Sequence, residues 1–261
     1  YTDMVLSECE KILGISSEEL LSGGYGIYTS LDTDMQENAQ KIYSDSTFFP
    51  QNAADGTAPE SALVVLKNGT NEIAAVIGGR RHSALRILNR ATSTYRQPGS
   101  SIKPLMIYAP AIENHGYTST TLVLDQQETF SGFTPSNAGN SYNGWVTVKY
   151  ALSRSLNLPA IKILNDMGTQ SGMDFCSSVG IEFDQRDEGL TLGLGGFTKG
   201  VTPLQLANAY SVFANGGEYS SPSCIRKIVD KNGNTIYENN KNRYSVLSPE
   251  TAYIITDILK E

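Results

Sequence analysis

The chain has 261 residues, enough for one large domain or a large domain with an appendage. Acidic residues outnumber basic ones by 27 to 20 and no basic run appears, which argues against a nucleic-acid partner. The three cysteines, Cys9, Cys176 and Cys224, lack any Cys-x-x-Cys spacing, which argues against a zinc site or a disulfide framework. No metal or cofactor is expected, and the thiols read as unrelated and buried. No run of about 18 apolar residues and no signal peptide is present. The sequence opens without Met, so a membrane anchor is expected only in a segment upstream of it.

Apolar residues among acidic ones predict a helix over 4–21, with a restart at Ser16 and an end at Gly23-Gly24. A short strand follows at Gly26–Ser30, then a helix capped by Asp32 that runs to about Tyr43. Phe49–Glu60 reads as a linker. Ala62–Leu66 is an apolar run expected to be a strand buried on both faces, and it pairs with Glu72–Ile77 across the turn Asn68–Asn71. An Arg-rich connection spans Arg80–Arg96. A single helix is expected from Ser100 to about Asn114, a loop-rich stretch from Gly116 to Trp145, and a helix over 147–154. Thr202-Pro203 starts another helix that Gly216-Gly217 closes. Ile225–Tyr237 reads as a second hairpin around Lys231–Asn234. Ser248-Pro249 opens the last helix, whose apolar residues run through Leu259.

Ser100 and Lys103 lie three residues apart after a Pro-Gly break. On one helical face their Cβ atoms stand about 5–6 Å apart. A serine needs a base to become a nucleophile, and a desolvated lysine can serve as one. The positive end of a helix dipole disfavours the ammonium and favours negative charge on the serine oxygen. No other serine in the chain has a lysine three residues on.

Three phrases in order then identify a family. They are Arg96-Gln97-Pro98-Gly99-Ser100-Ser101-Ile102-Lys103-Pro104, Ala151-Leu152-Ser153-Arg154-Ser155-Leu156-Asn157-Leu158-Pro159-Ala160, and Gly200-Val201-Thr202-Pro203-Leu204 continuing to Ala214-Asn215-Gly216-Gly217. Together they resemble the transpeptidase domain of class A penicillin-binding proteins. Gly23–Asp32 resembles the link that follows the glycosyltransferase domain in that family. The resemblance implies a linker region at 1–57 and a transpeptidase domain at 58–261. It also implies an α+β, β-lactamase/transpeptidase-like fold: an antiparallel sheet with helices on both sides, plus an all-helical subdomain.

By the same resemblance Ser100 is the nucleophile toward the D-Ala-D-Ala end of a peptidoglycan stem peptide, or toward a β-lactam. Lys103 takes its proton, Ser155 relays protons to the leaving amine, and Asn157 holds Lys103 and binds the substrate amide. The Ser100 N–H forms half of an oxyanion hole. Trp145 is expected to line the substrate cleft. The implied setting is extracytoplasmic, on a protein anchored in the membrane.

The family's third motif, Lys-Ser/Thr-Gly, is absent. Thr198-Lys199-Gly200 holds similar residues in the wrong order and reads as a decoy. The true motif, with later sheet strands, is expected beyond Glu261 on a second polypeptide segment, without which this piece is expected to be inactive. Three rivals stand beside this reading: a β-lactamase, a D,D-carboxypeptidase, and a non-enzymatic β-lactam sensor or scaffold. A Ser-His-Asp triad fits poorly. Of the two histidines, His115 lies about 22 Å along the expected helix from Ser100, and no Gly-x-Ser-x-Gly elbow surrounds that serine. His82 is not excluded by spacing.

Overall fold

The structure, a computed structural model, describes residues 1–80, 87–240 and 242–261. His82 and most of the first half of the Arg-rich connection lie outside the described residues. In chain order the elements are α1 (Thr2–Leu13), α2 (Ser17–Ser22), β1 (Gly26–Thr29), α3 (Thr33–Ser44), β2 (Leu63–Lys67), β3 (Glu72–Ile77) and α4 (Arg90–Ser93). Then come α5 (Ala109–Asn114), β4 (Leu122–Asp125), β5 (Gly144–Thr147), α6 (Val148–Ser153), α7 (Asn157–Met167) and α8 (Thr169–Ser178). The last are α9 (Pro203–Ala214), β6 (Glu218–Tyr219), β7 (Ile225–Val229), β8 (Thr235–Glu238), β9 (Tyr244–Ser245) and α10 (Pro249–Ile258). They fall into two compact units, one made of residues 1–94, 202–207 and 220–242, the other of 95–201, 208–219 and 243–261.

In the first unit, β7 lies between β1 and β8 with both pairings antiparallel, and β2 pairs with β3 as an antiparallel hairpin. The Ile73 N–H donates to Ser223 O at 3.0 Å, tying β3 to the segment entering β7. The helix expected over 4–21 is two helices. Gly14 takes a left-handed φ of 66° and ends α1, and Ser16 and Glu19 form a reciprocal capping box that starts α2. Strand β2 is half-buried along its length rather than buried on both faces. Among the described residues it pairs with β3 alone, whereas β3 is buried from Ile73 to Ile77. Val5, Cys9, Leu20, Ile73, Cys224, Ile225 and Ile228 form the core, and all three cysteines are buried free thiols.

In the second unit, the helix expected from Ser100 to Asn114 changes form twice. It begins as a 3₁₀ turn (Gly99–Ile102), widens to a π turn (Pro104–Tyr108) and ends as α5. Pro104 and Pro110 each lack an N–H, so a regular four-residue ladder cannot run through them. The Ala109 N–H instead reaches five residues back to Pro104 O. From Ile102 to Ala111 this run is buried throughout. The loop-rich stretch 116–145 contains β4, and β5 starts at its end, the two paired antiparallel with Leu124 opposite Trp145. Helices α7 and α8 were not foreseen. Asn157, expected to follow a helix, is the first residue of one.

Candidate active site

Ser100 sits in the 3₁₀ turn, exposed, directly after Gly99 with its positive φ of 56°. Near the start of that turn its N–H belongs to the donors a helix leaves without an internal partner. Segment 191–201 grips the chain just before the serine. Arg96 and Val201 exchange backbone hydrogen bonds of 3.0 and 2.9 Å. The Gln97 side chain forks onto one residue: Oε1 accepts from the Phe197 N–H at 2.7 Å, and Nε2 donates to Phe197 O. A Cβ at Gly195, whose φ is 83°, would lie 2.3 Å from Gly99 N, so this approach of two backbones requires glycine. The Tyr210 hydroxyl donates to Ser101 O at 2.5 Å. Thr198-Lys199-Gly200 belongs to the same segment, with Lys199 Nζ 3.7 Å from the centre of the Tyr95 ring.

Lys103 is fully buried. Its Nζ donates to Ser155 O at 2.7 Å, Asn157 Oδ1 at 2.6 Å, Leu156 O at 3.2 Å and Ser155 Oγ at 3.3 Å. None of these partners carries a charge, and burial lowers the amine pKa to about 8. At pH 7 such an amine is ~10% neutral, against ~0.03% for an ordinary lysine. The amine is therefore held like an ammonium yet gives up its proton readily.

Ser155 occupies the junction between α6 and α7 with a φ of 53°, uncommon for a non-glycine residue. That conformation sends both its carbonyl and its hydroxyl to Lys103. The Asn157 amide nitrogen donates to Ser136 O at 2.7 Å, so its oxygen is the end that meets Lys103. Lys103, Ser155 and Asn157 are thus one hydrogen-bonded cluster. Ser100 Oγ has no hydrogen-bond partner among the described residues. The cluster holds an amine with a lowered pKa beside a hydroxyl and an amide, and the exposed Ser100 precedes that amine by three residues.

Trp145 lies elsewhere. It is 67% exposed on the outward face of β5 and lines a separate cavity of about 580 Å³ with Tyr117, Glu128, Lys162 and Asp166. Ser100, Lys103, Ser155 and Asn157 do not line that cavity. His115 Nε2 lies 2.8 Å from the Ser171 hydroxyl and makes no hydrogen bond to Ser100. The Gln97 fork, Gly195 and Tyr210 were not singled out from sequence. Only the glycine-dense run Gly193-Leu194-Gly195-Gly196 hinted at a close backbone approach.

The family model for the penicillin-binding protein transpeptidase domain matches residues 61–261. Over 261 residues the chain is 37% identical to penicillin-binding protein 1F of Bacillus subtilis, covering all of this chain and 36% of that protein. It is also 37% identical over 258 residues to penicillin-binding protein 1A of Clostridium acetobutylicum, covering 92% of this chain and 32% of the relative. The chain therefore spans about a third of the length of these relatives. Among solved structures, PonA1 of Mycobacterium tuberculosis in complex with penicillin V superposes with a TM-score of 0.83 at 20% identity, covering 98% of this chain and 68% of that one. Penicillin-binding protein 1A of Haemophilus influenzae superposes at 0.80 with 23% identity, covering 99% and 57%. These two likenesses establish the fold: mixed helices and antiparallel strands of the transpeptidase type. The chain belongs to the penicillin-binding protein transpeptidase family.

Proposed function

We propose that this chain forms the acyl-enzyme of a peptidoglycan D,D-transpeptidase that β-lactams inhibit covalently. The observation that carries the reading is the buried Lys103 amine, its pKa lowered to about 8, gathered with Ser155 and Asn157 three residues after an exposed serine. The Ser100 proton passes to neutral Lys103 as Oγ bonds to the penultimate D-Ala carbonyl carbon. The C–N bond then breaks, and Lys103 returns the proton to the leaving amine through the Ser155 hydroxyl. The resulting ester is resolved by an amine from a neighbouring stem peptide, which gives up its own proton by the reverse path. In a β-lactam the leaving amine stays tethered, so the ester persists. The Ser100 N–H stabilises the tetrahedral oxyanion, a role worth about 2.7–4 kcal/mol per donor in other acyl-transfer enzymes.

The relatives' length supports placing this chain within a larger wall synthase acting outside the cell membrane, with residues 1–57 as the link from a glycosyltransferase domain. No helix among the described residues is long and apolar enough to cross a membrane. The anchor for the substrate carboxylate is assigned to a Lys-Ser/Thr-Gly strand outside these residues, and without it this piece alone is inactive. The test is labelling of the full-length protein with a fluorescent penicillin. Label should sit on Ser100 for hours and vanish in Ser100→Ala. Labelling that persists in Ser100→Ala sinks the nucleophile assignment, and sub-second turnover makes the protein a β-lactamase instead.

A further inference from the structure

Asn157 does not hold its own position. Helix α7 opens there with no side-chain cap from Leu156, so its first N–H groups need acceptors from elsewhere. Asn137, in the loop between β4 and β5, supplies one. Its Oδ1 accepts from the Asn157 N–H at 2.8 Å and the Leu158 N–H at 3.2 Å. Its Nδ2 donates to Asp125 Oδ1 at 2.7 Å and to Ser141 O at 3.0 Å. Two donors and two acceptors use the whole capacity of the amide and fix which end is oxygen.

Asp125, at the end of β4, is fully buried and Asn137 is 5% exposed. The second Asp125 oxygen accepts from the Asn143 N–H at 2.9 Å and from Asn143 Nδ2 at 2.7 Å. The neighbour of Asn137 completes the hold, since Ser136 O takes the Asn157 amide nitrogen and turns its oxygen toward Lys103. Buried polar groups of this kind are costly unless every member is paired, and an apolar pair would pack such a loop as well. The Asp125 and Asn137 side chains are paired throughout, and the network ends at the Asn157 oxygen that accepts from the Lys103 amine.

We propose that Asn137, anchored by Asp125, is a positioning residue for the acylation step: it fixes the first turn of α7 so that Asn157 presents its oxygen to Lys103. The inference rests on the acyl-enzyme reading above and extends its machinery two residues outward, onto β4 and the loop after it. Removing Asn137 frees the first turn of α7 and withdraws the Asn157 oxygen from the amine. An acceptor bonded to an ammonium favours the charged form, so its withdrawal lowers the amine pKa further.

The test is the pH profile of penicillin acylation in the full-length protein. Asn137→Ala should slow acylation of the folded protein by about 100-fold and move the midpoint of the profile to lower pH. Asn137→Asp alone sets two carboxylates against each other and should fail in the same way. Pairing it with Asp125→Asn restores the hydrogen bond between the two side chains with the roles exchanged, at the loss of the donor to Ser141 O, and should return both rate and midpoint part of the way toward wild type. If Asn137→Ala does not fold, Asp125→Asn alone keeps the volume and should show the same two changes. An unchanged rate and midpoint in the folded variant, or a double variant no better than Asn137→Asp, overturns the inference. Acylation of the wild type at a residue other than Ser100 overturns the acyl-enzyme reading first, and this inference with it.

Discussion

Lys103 Nζ donates to Asn157 Oδ1 at 2.6 Å, joining a buried helical turn to the start of another helix 54 residues later in the chain. The position of the Lys103 amine is thus defined by a contact between two elements rather than by its own turn. Burial alone lowers its pKa, and neutral acceptors hold it in place.

Acylation should therefore rise with pH and level off above a midpoint near 8, because the reactive form is the neutral amine. The sign follows from the direction of the shift: a lowered lysine pKa makes the base available at lower pH, and protonation removes it as pH falls. Lys103→Arg should acylate at least about 100-fold more slowly at every pH up to 10, since a guanidinium stays protonated. Stopped-flow acylation with a chromogenic cephalosporin reads both. A flat profile between pH 6 and 10 would show that Lys103 is not the base.

Gly195→Ala should destabilise the protein by about 2 kcal/mol or more and slow acylation. The new Cβ would meet Gly99 N at 2.3 Å in a left-handed backbone that resists any side chain. Chemical denaturation with parallel acylation kinetics checks both effects. Wild-type values in the variant would mean that the two backbones do not touch in solution.

Gln97→Ala removes both hydrogen bonds to Phe197 and leaves the Arg96–Val201 bridge and the Gly195–Gly99 approach to hold the turn before Ser100. Stability should fall by about 1–2 kcal/mol, and the acylation rate by about tenfold. Gln97→Glu keeps the acceptor for the Phe197 N–H but places a carboxylate against Phe197 O, so it should acylate no faster than Gln97→Ala. Recovery of the wild-type rate in Gln97→Glu would count against the fork.

Gly172→Ala reports on the π turn. A Cβ on α8 at this position would stand 2.2 Å from Met106 O, inside the widened stretch after Lys103. A cost of about 1–3 kcal/mol should lower the Tm by roughly 3–10 °C. An unchanged Tm would mean that α8 does not pack against Met106.

Much of the local structure is legible because local chemistry decides it. Asp32 caps α3 through the Met35 N–H, Ser248 caps α10 through the Thr251 N–H, and Thr202 with Gln205 boxes the start of α9. The turn at Asn68–Asn71 joins β2 to β3 for the same reason. Strands β4 and β5 escaped notice because each has only four residues and they are separated by a long loop, so neither carries a usable period. Pro104 and Pro110 carry a signal for the interruption of the helix after Ser100, but the residues alone do not say that the run widens to a π turn.

By itself the sequence determined that Ser100 and Lys103 stand three residues apart at the start of one helical run, because Pro98-Gly99 breaks the chain just before them. It also determined, through three ordered phrases, the family to which that run belongs. Only the tertiary structure decided what Lys103 is. Its four neutral acceptors come from Ser155, Leu156 and Asn157, which nothing local brings near it, and its lowered pKa comes from burial. The same holds for Trp145, which β-strand alternation turns outward toward a different cavity, and for Asn137 and Asp125, whose worth lies in contacts across loops. Hydrogen bonds between residues distant in the chain leave no period in the sequence, because they are fixed by how the elements pack and not by the residues on either side.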